Sequence, residues 1–140
     1  MALDPYLFFD GTCEEAFLFY AKTLGGKMRG MMKYGDSPEG SKAGPELRDK
    51  IVHAMLEVGD RLLMASDWGA PEPYLRPQGF YVSLSVKEAA EAERVFAELS
   101  QGGQVHMPMQ ETFWSPRFGM LRDRFGVPWM VNCEQQPTQR

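Results

Sequence analysis

Apolar and aromatic residues fill Pro5 to Phe9 (PYLFF) before Asp10-Gly11 breaks the run, which predicts a short strand and a turn. Thr12-Cys13-Glu14-Glu15 then reads as a capping box, the Thr12 hydroxyl and the Glu15 carboxylate each satisfying a backbone N–H of the other residue. Behind it Ala16, Phe19, Tyr20 and Leu24 fall at helical spacing, and Gly25-Gly26 supplies the left-handed residue that ends a helix. Strand-forming residues resume from Lys27 to Tyr34. Gly35 to Asp49 is rich in Gly, Pro, Ser and charge, and is expected to be a mobile loop. Two β-type runs, Lys50 to Val58 and Arg61 to Ser66, flank Gly59-Asp60 as the arms of a hairpin. A second loop, Asp67 to Gln78, breaks the pattern with prolines yet carries Trp68 and Tyr74, aromatics that need a surface to cover.

The grammar then repeats. Gly79 to Val86 reads as a strand, Ser85-x-x-Glu88 as a second capping box, and Ala92, Val95, Phe96 and Leu99 as a helical apolar stripe that stops at Gly102-Gly103. Matching Ala16 with Ala92 and Tyr20 with Phe96 gives an internal shift of roughly 76 residues, the mark of a duplicated structural unit. Strand material at Gln104 to Met109, Phe118 to Asp123 and Val127 to Cys133 completes the second half. One helix and about four strands per half predict an α+β fold, a curved mixed sheet with helices on its outer face and a concave face free to hold a ligand. The halves run from about residue 4 to 66 and from 79 to 133 within a single domain spanning 1–140.

Length and charge narrow the classes. A chain of 140 residues buries about two-thirds of its unfolded surface and needs no staple to fold. Cys13 and Cys133 stand far apart with no ligand-like spacing, so the expectation is a reducing, cytoplasmic setting and no disulfide framework. The start of the chain lacks the features of a signal peptide, and no apolar run reaches the length of a membrane span, so no membrane partner is expected. With a net charge of −4 and its Lys and Arg scattered among acids, the chain has no electrostatic footprint for nucleic acid.

The order of elements, PYLFFDG-x-CEEAFLFY, the MASD that ends the fourth strand, and above all GGQVHMPMQETFW followed by FGMLRDRFGVPWMV, resemble the PhnB-like branch of the vicinal oxygen chelate (glyoxalase/bleomycin resistance/dioxygenase) superfamily over Pro5 to Cys133. The resemblance implies paired βαβββ modules forming a cup and commonly a homodimer. It implies no single reaction, because such folds carry isomerases, dioxygenases, thiol transferases and drug-binding proteins. A methyltransferase label also attached to relatives has no support here: the glycine-rich first turn of a doubly wound methyltransferase is missing. Metal-dependent members hold their ion with His or Glu at positions that match Pro5, Met64, Tyr81 and Met130 here. None of these is a hard-cation ligand, so neither a metal nor another cofactor is expected.

Single residues sharpen this. His53 in IVHAML is either a hydrogen-bonded, partly buried histidine or a general base facing the ligand. His106 has no acidic partner nearby in sequence, and Cys13, at a helix start that lowers a thiol pKa but beside Glu14 and Glu15 that raise it, is expected to be a small buried residue rather than a reactive one. The ten methionines suit an adaptable apolar wall, although each alone also reads as core filler. Alternation from Tyr81 places Ser83 and Ser85 on one face, and alternation from Met64 places Leu62 and Ser66 together. The expected ligand-binding set is His53, Met55, Met64, Ser66, Tyr81, Ser83, Trp114 and Met130; Trp114 and Phe113, before the last hairpin, cap the cup or pack a dimer, and Asp67 and Glu57 add polar contacts of undetermined facing. The reading is a metal-free small-molecule binding protein with an apolar cavity lined by Met and aromatics. The alternative is an enzyme of the lyase, isomerase, transferase or dioxygenase class acting on a small electrophile or dicarbonyl, with His53 as the candidate catalytic residue. A third reading, a protein-interaction module, would use the aromatic loop Asp67 to Gln78.

Overall fold

A computed structural model of the chain describes residues 1–38 and 44–134. The chain divides into two compact units, Met1–Leu75 and Arg76–Arg140. The first contains β1 (Tyr6–Phe9), α1 (Cys13–Leu24), β2 (Lys27–Lys33), β3 (Ile51–Val58) and β4 (Arg61–Asp67); the second contains β5 (Val82–Val86), α2 (Ala89–Ser100), β6 (Gln104–Gln110), β7 (Phe118–Arg122) and β8 (Pro128–Cys133). Each unit forms one four-stranded sheet, ordered β1-β4-β3-β2 and β5-β8-β7-β6. In both, the first strand lies parallel to the last and the other pairs are antiparallel. This is the α+β arrangement of two βαβββ units that the repeat predicts, without a closed barrel.

Registers make the duplication explicit. Tyr6 pairs with Met64 and Ser83 with Met130, while Met55 pairs with Met64 and Met120 with Met130. Tyr6 and Ser83 therefore occupy equivalent positions, as do Met64 and Met130, and Met55 and Met120. Both units also place one extra residue at the same point of their edge strand, Arg29 between Met28 and Gly30, and His106 between Val105 and Met107. Such a bulge re-aims the extra side chain. After each helix a glycine takes positive φ, Gly25 at 67° and Gly102 at 73°. The next glycine lets two strands close up: a Cβ on Gly26 would lie 3.0 Å from the Glu57 carbonyl oxygen, and one on Gly103 would overlap that of Arg122.

One face of each sheet is covered by its helix. In the first unit Leu7, Phe9, Ala54, Leu56, Leu63 and Ala65 bury against Cys13, Ala16, Phe17, Tyr20 and Thr23 of α1. The stripe expected through Phe19 and Leu24 is thus turned by part of a helical step: Phe17 and Thr23 are buried, whereas Phe19 and Leu24 are half-buried. In the second unit the stripe Ala92, Val95, Phe96, Leu99 is buried as expected, with Leu121, Trp129 and Val131 from the sheet.

Neither expected capping box forms. Thr12 makes no side-chain cap bond, and α2 is preceded by Glu88, also without one, because Ser85 lies inside β5. The α1 cap is tertiary instead: the buried Asp67 accepts from the Cys13 backbone N–H (2.9 Å) through Oδ1 and from the Ile51 N–H (2.9 Å) through Oδ2. A carboxylate from β4 does there what Thr12 was expected to do. The strand expected from Gly79 begins only at Val82, after Gly79 at φ 86°. The expected loop from Gly35 to Asp49 starts with a 3-10 turn at Tyr34–Asp36, and Gly35 N–H donates to the Arg48 carbonyl (3.0 Å); residues 39–43 of that loop lie outside the described residues.

Candidate functional site

The helix-free face of each sheet carries the chemistry. In the first unit, period-two alternation puts Tyr6 and Phe8 of β1, Met64 and Ser66 of β4, and His53 and Met55 of β3 on that face. Four of the expected ligand-binding residues, His53, Met55, Met64 and Ser66, are therefore neighbours. Tyr6 and Phe8 were not foreseen, because a strand apolar at every position does not reveal from sequence which side is core. They are 40% and 42% exposed, while Leu7 and Phe9 are buried.

A directed hydrogen-bond chain runs across this face. Ser66 Oγ donates to the Val52 carbonyl (2.8 Å) and is also bonded to the Tyr6 hydroxyl, which lies 3.1 Å from His53 Nδ1. With its proton on the Val52 carbonyl, Ser66 Oγ accepts from Tyr6, so the Tyr6 oxygen accepts from His53 Nδ1–H. The neutral imidazole then presents a bare Nε2 lone pair. Aromatic rings continue the wall: Tyr6 to Phe8 (5.3 Å), Phe8 edge-on to Trp68 (5.3 Å), and Trp68 to Tyr74 (6.5 Å). Tyr74 also donates to the Phe8 carbonyl (2.9 Å), and Trp68 Nε1 to the Glu72 carbonyl (2.6 Å). The aromatics of the proline-rich loop thus cover β1, the surface they were expected to need.

On the second unit's helix-free face lie Ser83 and Ser85 of β5, Met130 and Asn132 of β8, and Phe118, Met120 and Arg122 of β7. Tyr81, expected on the strand, immediately precedes it and its hydroxyl bonds His106 Nδ1 at 2.7 Å. The two residues come from opposite sides of the sheet, since β5 and β6 are its edge strands. Trp114 stacks edge-on against Phe118 (5.2 Å) and Phe113 (4.7 Å) and is 48% exposed. Asn132, unremarked in the sequence, stands where the first unit has Ser66, and its buried Oδ1 has no hydrogen-bond partner among the described residues.

The remaining candidates resolve as structural groups. Cys13 is fully buried, and burial first, then the Asp67 and Glu14 carboxylates, push its thiol well above the ordinary range, outweighing the helix dipole. Asp67 faces the helix as its cap, and Glu57 pairs with Arg29. The positions that correspond to family metal ligands do not fit a hard divalent ion: Met64 and Met130 offer only thioether sulfur. Among the described residues no group of three or more His, Cys, Asp or Glu is placed to hold a metal. No helix among them is long and apolar enough to cross a membrane.

Comparison with known proteins agrees with this architecture. The family model described as "Glyoxalase/Bleomycin resistance protein/Dioxygenase superfamily" matches residues 2–131. Protein YjdN of Escherichia coli K12 is 37% identical over 148 residues, covering 99% of this chain and 100% of that protein. The crystal structure of protein PA1353 from Pseudomonas aeruginosa superposes with a TM-score of 0.90 at 50% identity, over 97% of this chain and 99% of the other. The fold is shared too by a PhnB protein from Bacillus cereus, with a TM-score of 0.80 at 23% identity over 95% and 99% of the two chains. On its sequence match and its βαβββ units, the chain belongs to the glyoxalase/bleomycin resistance protein/dioxygenase superfamily.

Proposed function

We propose that this protein is a PhnB-like member of its superfamily that binds a compact, partly apolar small molecule without a metal, on the helix-free face of the first unit. The Tyr6–His53–Ser66 chain carries this reading: among the described residues it leaves one acceptor, His53 Nε2, without a partner, beside Met55, Met64 and the ring series from Tyr6 to Tyr74. Mainly apolar walls with a few fixed polar groups are the usual make-up of small-molecule sites. His53 Nε2 accepts a hydrogen bond from a donor on the ligand, and the apolar walls take the rest. On its own helix-free face the second unit offers Ser83, Tyr81, Trp114 and Met130 as further candidate ligand contacts. The setting is the cytoplasm, a reading that the free, buried Cys13 and Cys133 support. The working form is a homodimer, with a light-scattering mass near twice 15.9 kDa; a monomer mass at micromolar concentration refutes that.

The same proton chain favours one alternative. A bare imidazole nitrogen whose partner nitrogen is held by a phenol is also what a general base requires, so an enzyme removing a proton from a small carbonyl compound would use His53 in this tautomer. Titration with the apolar fluorophore anilinonaphthalene sulfonate, read by transfer from Trp68, tests the binding face. His53→Ala and Tyr6→Phe are expected to weaken a ligand found by such displacement by about tenfold, or about 1.4 kcal/mol. Wild-type affinity in both variants refutes the face. Turnover of dicarbonyls that His53→Ala abolishes selects the enzyme.

A further inference from the structure

The second unit carries a cation where the first carries an acid. At the equivalent edge bulges stand Arg29 and His106, and at the equivalent inner positions stand Glu57 and Arg122, each carbonyl facing the glycine that starts its edge strand. In the first unit the pair neutralises itself, Arg29 bonding Glu57. In the second an arginine stands in place of the acid and His106 in place of the bulge arginine.

Arg122 is half-buried, and its partners are two carbonyl oxygens, those of Pro77 (2.7 Å) and Gly126 (2.6 Å), both reached by one terminal nitrogen. That fixes the guanidinium and, among the described residues, leaves its other terminal nitrogen and Nε to donate elsewhere. The nearest acid in sequence, Asp123, is turned away: it is buried and accepts from the backbone N–H groups of Phe125 and Val127 and from Trp129 Nε1. Arg76 adds a second positive side chain, its stem lying beside Gly126. A half-buried cation held, among the described residues, by neutral acceptors is incomplete, because charge removed from water is stabilised mainly by an opposite charge.

The Tyr81–His106 bond supplies a further donor. Among the described residues Tyr81 finds no second acceptor of the kind that Tyr6 has in Ser66, and a phenol donates to a neutral imidazole nitrogen more readily than it accepts from one. Tyr81 therefore donates to Nδ1, and His106 carries its proton on Nε2, the opposite tautomer to His53. The geometry points to a subsite for a small oxyanion, a carboxylate or phosphate group, held by the Arg122 fork and His106 Nε2–H on the helix-free face of the second unit. The inference is independent of the His53 reading, since none of these residues belongs to the Tyr6–His53–Ser66 chain.

With only two histidines in the chain, ring nitrogen resonances separate the two sites. Inorganic phosphate and sodium acetate are titrated against sodium chloride at matched ionic strength. Saturable movement of the His106 Nε2 signal with a static His53 signal is expected, together with a rise in melting temperature. Arg122→Gln is expected to lower anion affinity at least tenfold and His106→Phe several-fold, and the exposed position of His106 keeps that second variant folded. Tighter phosphate assigns a tetrahedral group and tighter acetate a planar one. No saturable movement beyond chloride, or wild-type affinity in His106→Phe, overturns the subsite, and His53→Ala is expected to leave every one of these results unchanged.

Discussion

The two units share a frame and differ in what they mount on it. Strand order, the bulge in the edge strand and the paired glycines after the helix recur in both. On the helix-free faces, however, Tyr6, Phe8, Ser66 and His53 in the first unit stand where the second has Ser83, Ser85, Asn132 and Phe118. Backbone proximity leaves the frame few solutions, whereas side chains on the helix-free face are not needed to fill the core and are free to diverge. The proposed protonation states extend the comparison: His53 offers an acceptor and His106 a donor, because among the described residues Tyr6 has a serine to donate to and Tyr81 has none.

The frame breaks hardest where strands approach most closely. Gly103→Ala forces a Cβ into the Arg122 carbonyl and is expected to destabilise by about 3 kcal/mol or more, whereas Gly26→Ala meets Glu57 at 3.0 Å and is expected to cost about 1 kcal/mol. Urea denaturation of both variants checks the order; equal losses would mean that the two units tolerate the approach alike.

A smaller effect is expected where the last strand meets the helix start. Asp67 caps α1, while the equivalent Cys133 only approaches the Lys87 carbonyl (Sγ to oxygen 3.5 Å). Asp67→Ala strands two buried N–H groups and is expected to cost about 2–3 kcal/mol, against about 1 kcal/mol for Cys133→Ala. Asp67→Asn, which retains one acceptor oxygen, is expected to fall between them in the same denaturation series.

The smallest effect is a pH slope confined to the first unit's helix. The folded state raises the Cys13 thiol pKa, so above the ordinary thiol range of about 8.5 the unfolded chain loses a proton that the folded chain keeps. Stability is full below that pH and falls as pH rises, by about 1.4 kcal/mol per unit for one proton. Thermal melts between pH 8 and 9.5 are expected to show this slope in the wild type and a flatter one in Cys13→Ala. An unchanged slope in the variant would move the effect elsewhere.

The sequence by itself determined the element order, the duplication and the family, because hydrophobic periodicity and Gly-Gly stops are local signals that recur. Its second helix stripe was legible for the same reason, since polar residues flank Ala92, Val95, Phe96 and Leu99. Only tertiary structure decided the facing of PYLFF, apolar at every position, and of the first helix, where Phe17, Leu18, Phe19 and Tyr20 are consecutive and the choice between Phe17 and Phe19 rests on which residue meets the sheet. Local motifs misled at both capping boxes, because the α1 cap comes from Asp67, far along the chain. His53 was visible as a titratable residue on a strand, but its free nitrogen follows from Tyr6 and Ser66, and the cation of Arg122 from an acid that its counterpart strand retains. Those properties belong to residues brought together across strands, and a proton or a counter-charge responds to neighbours in space rather than in sequence.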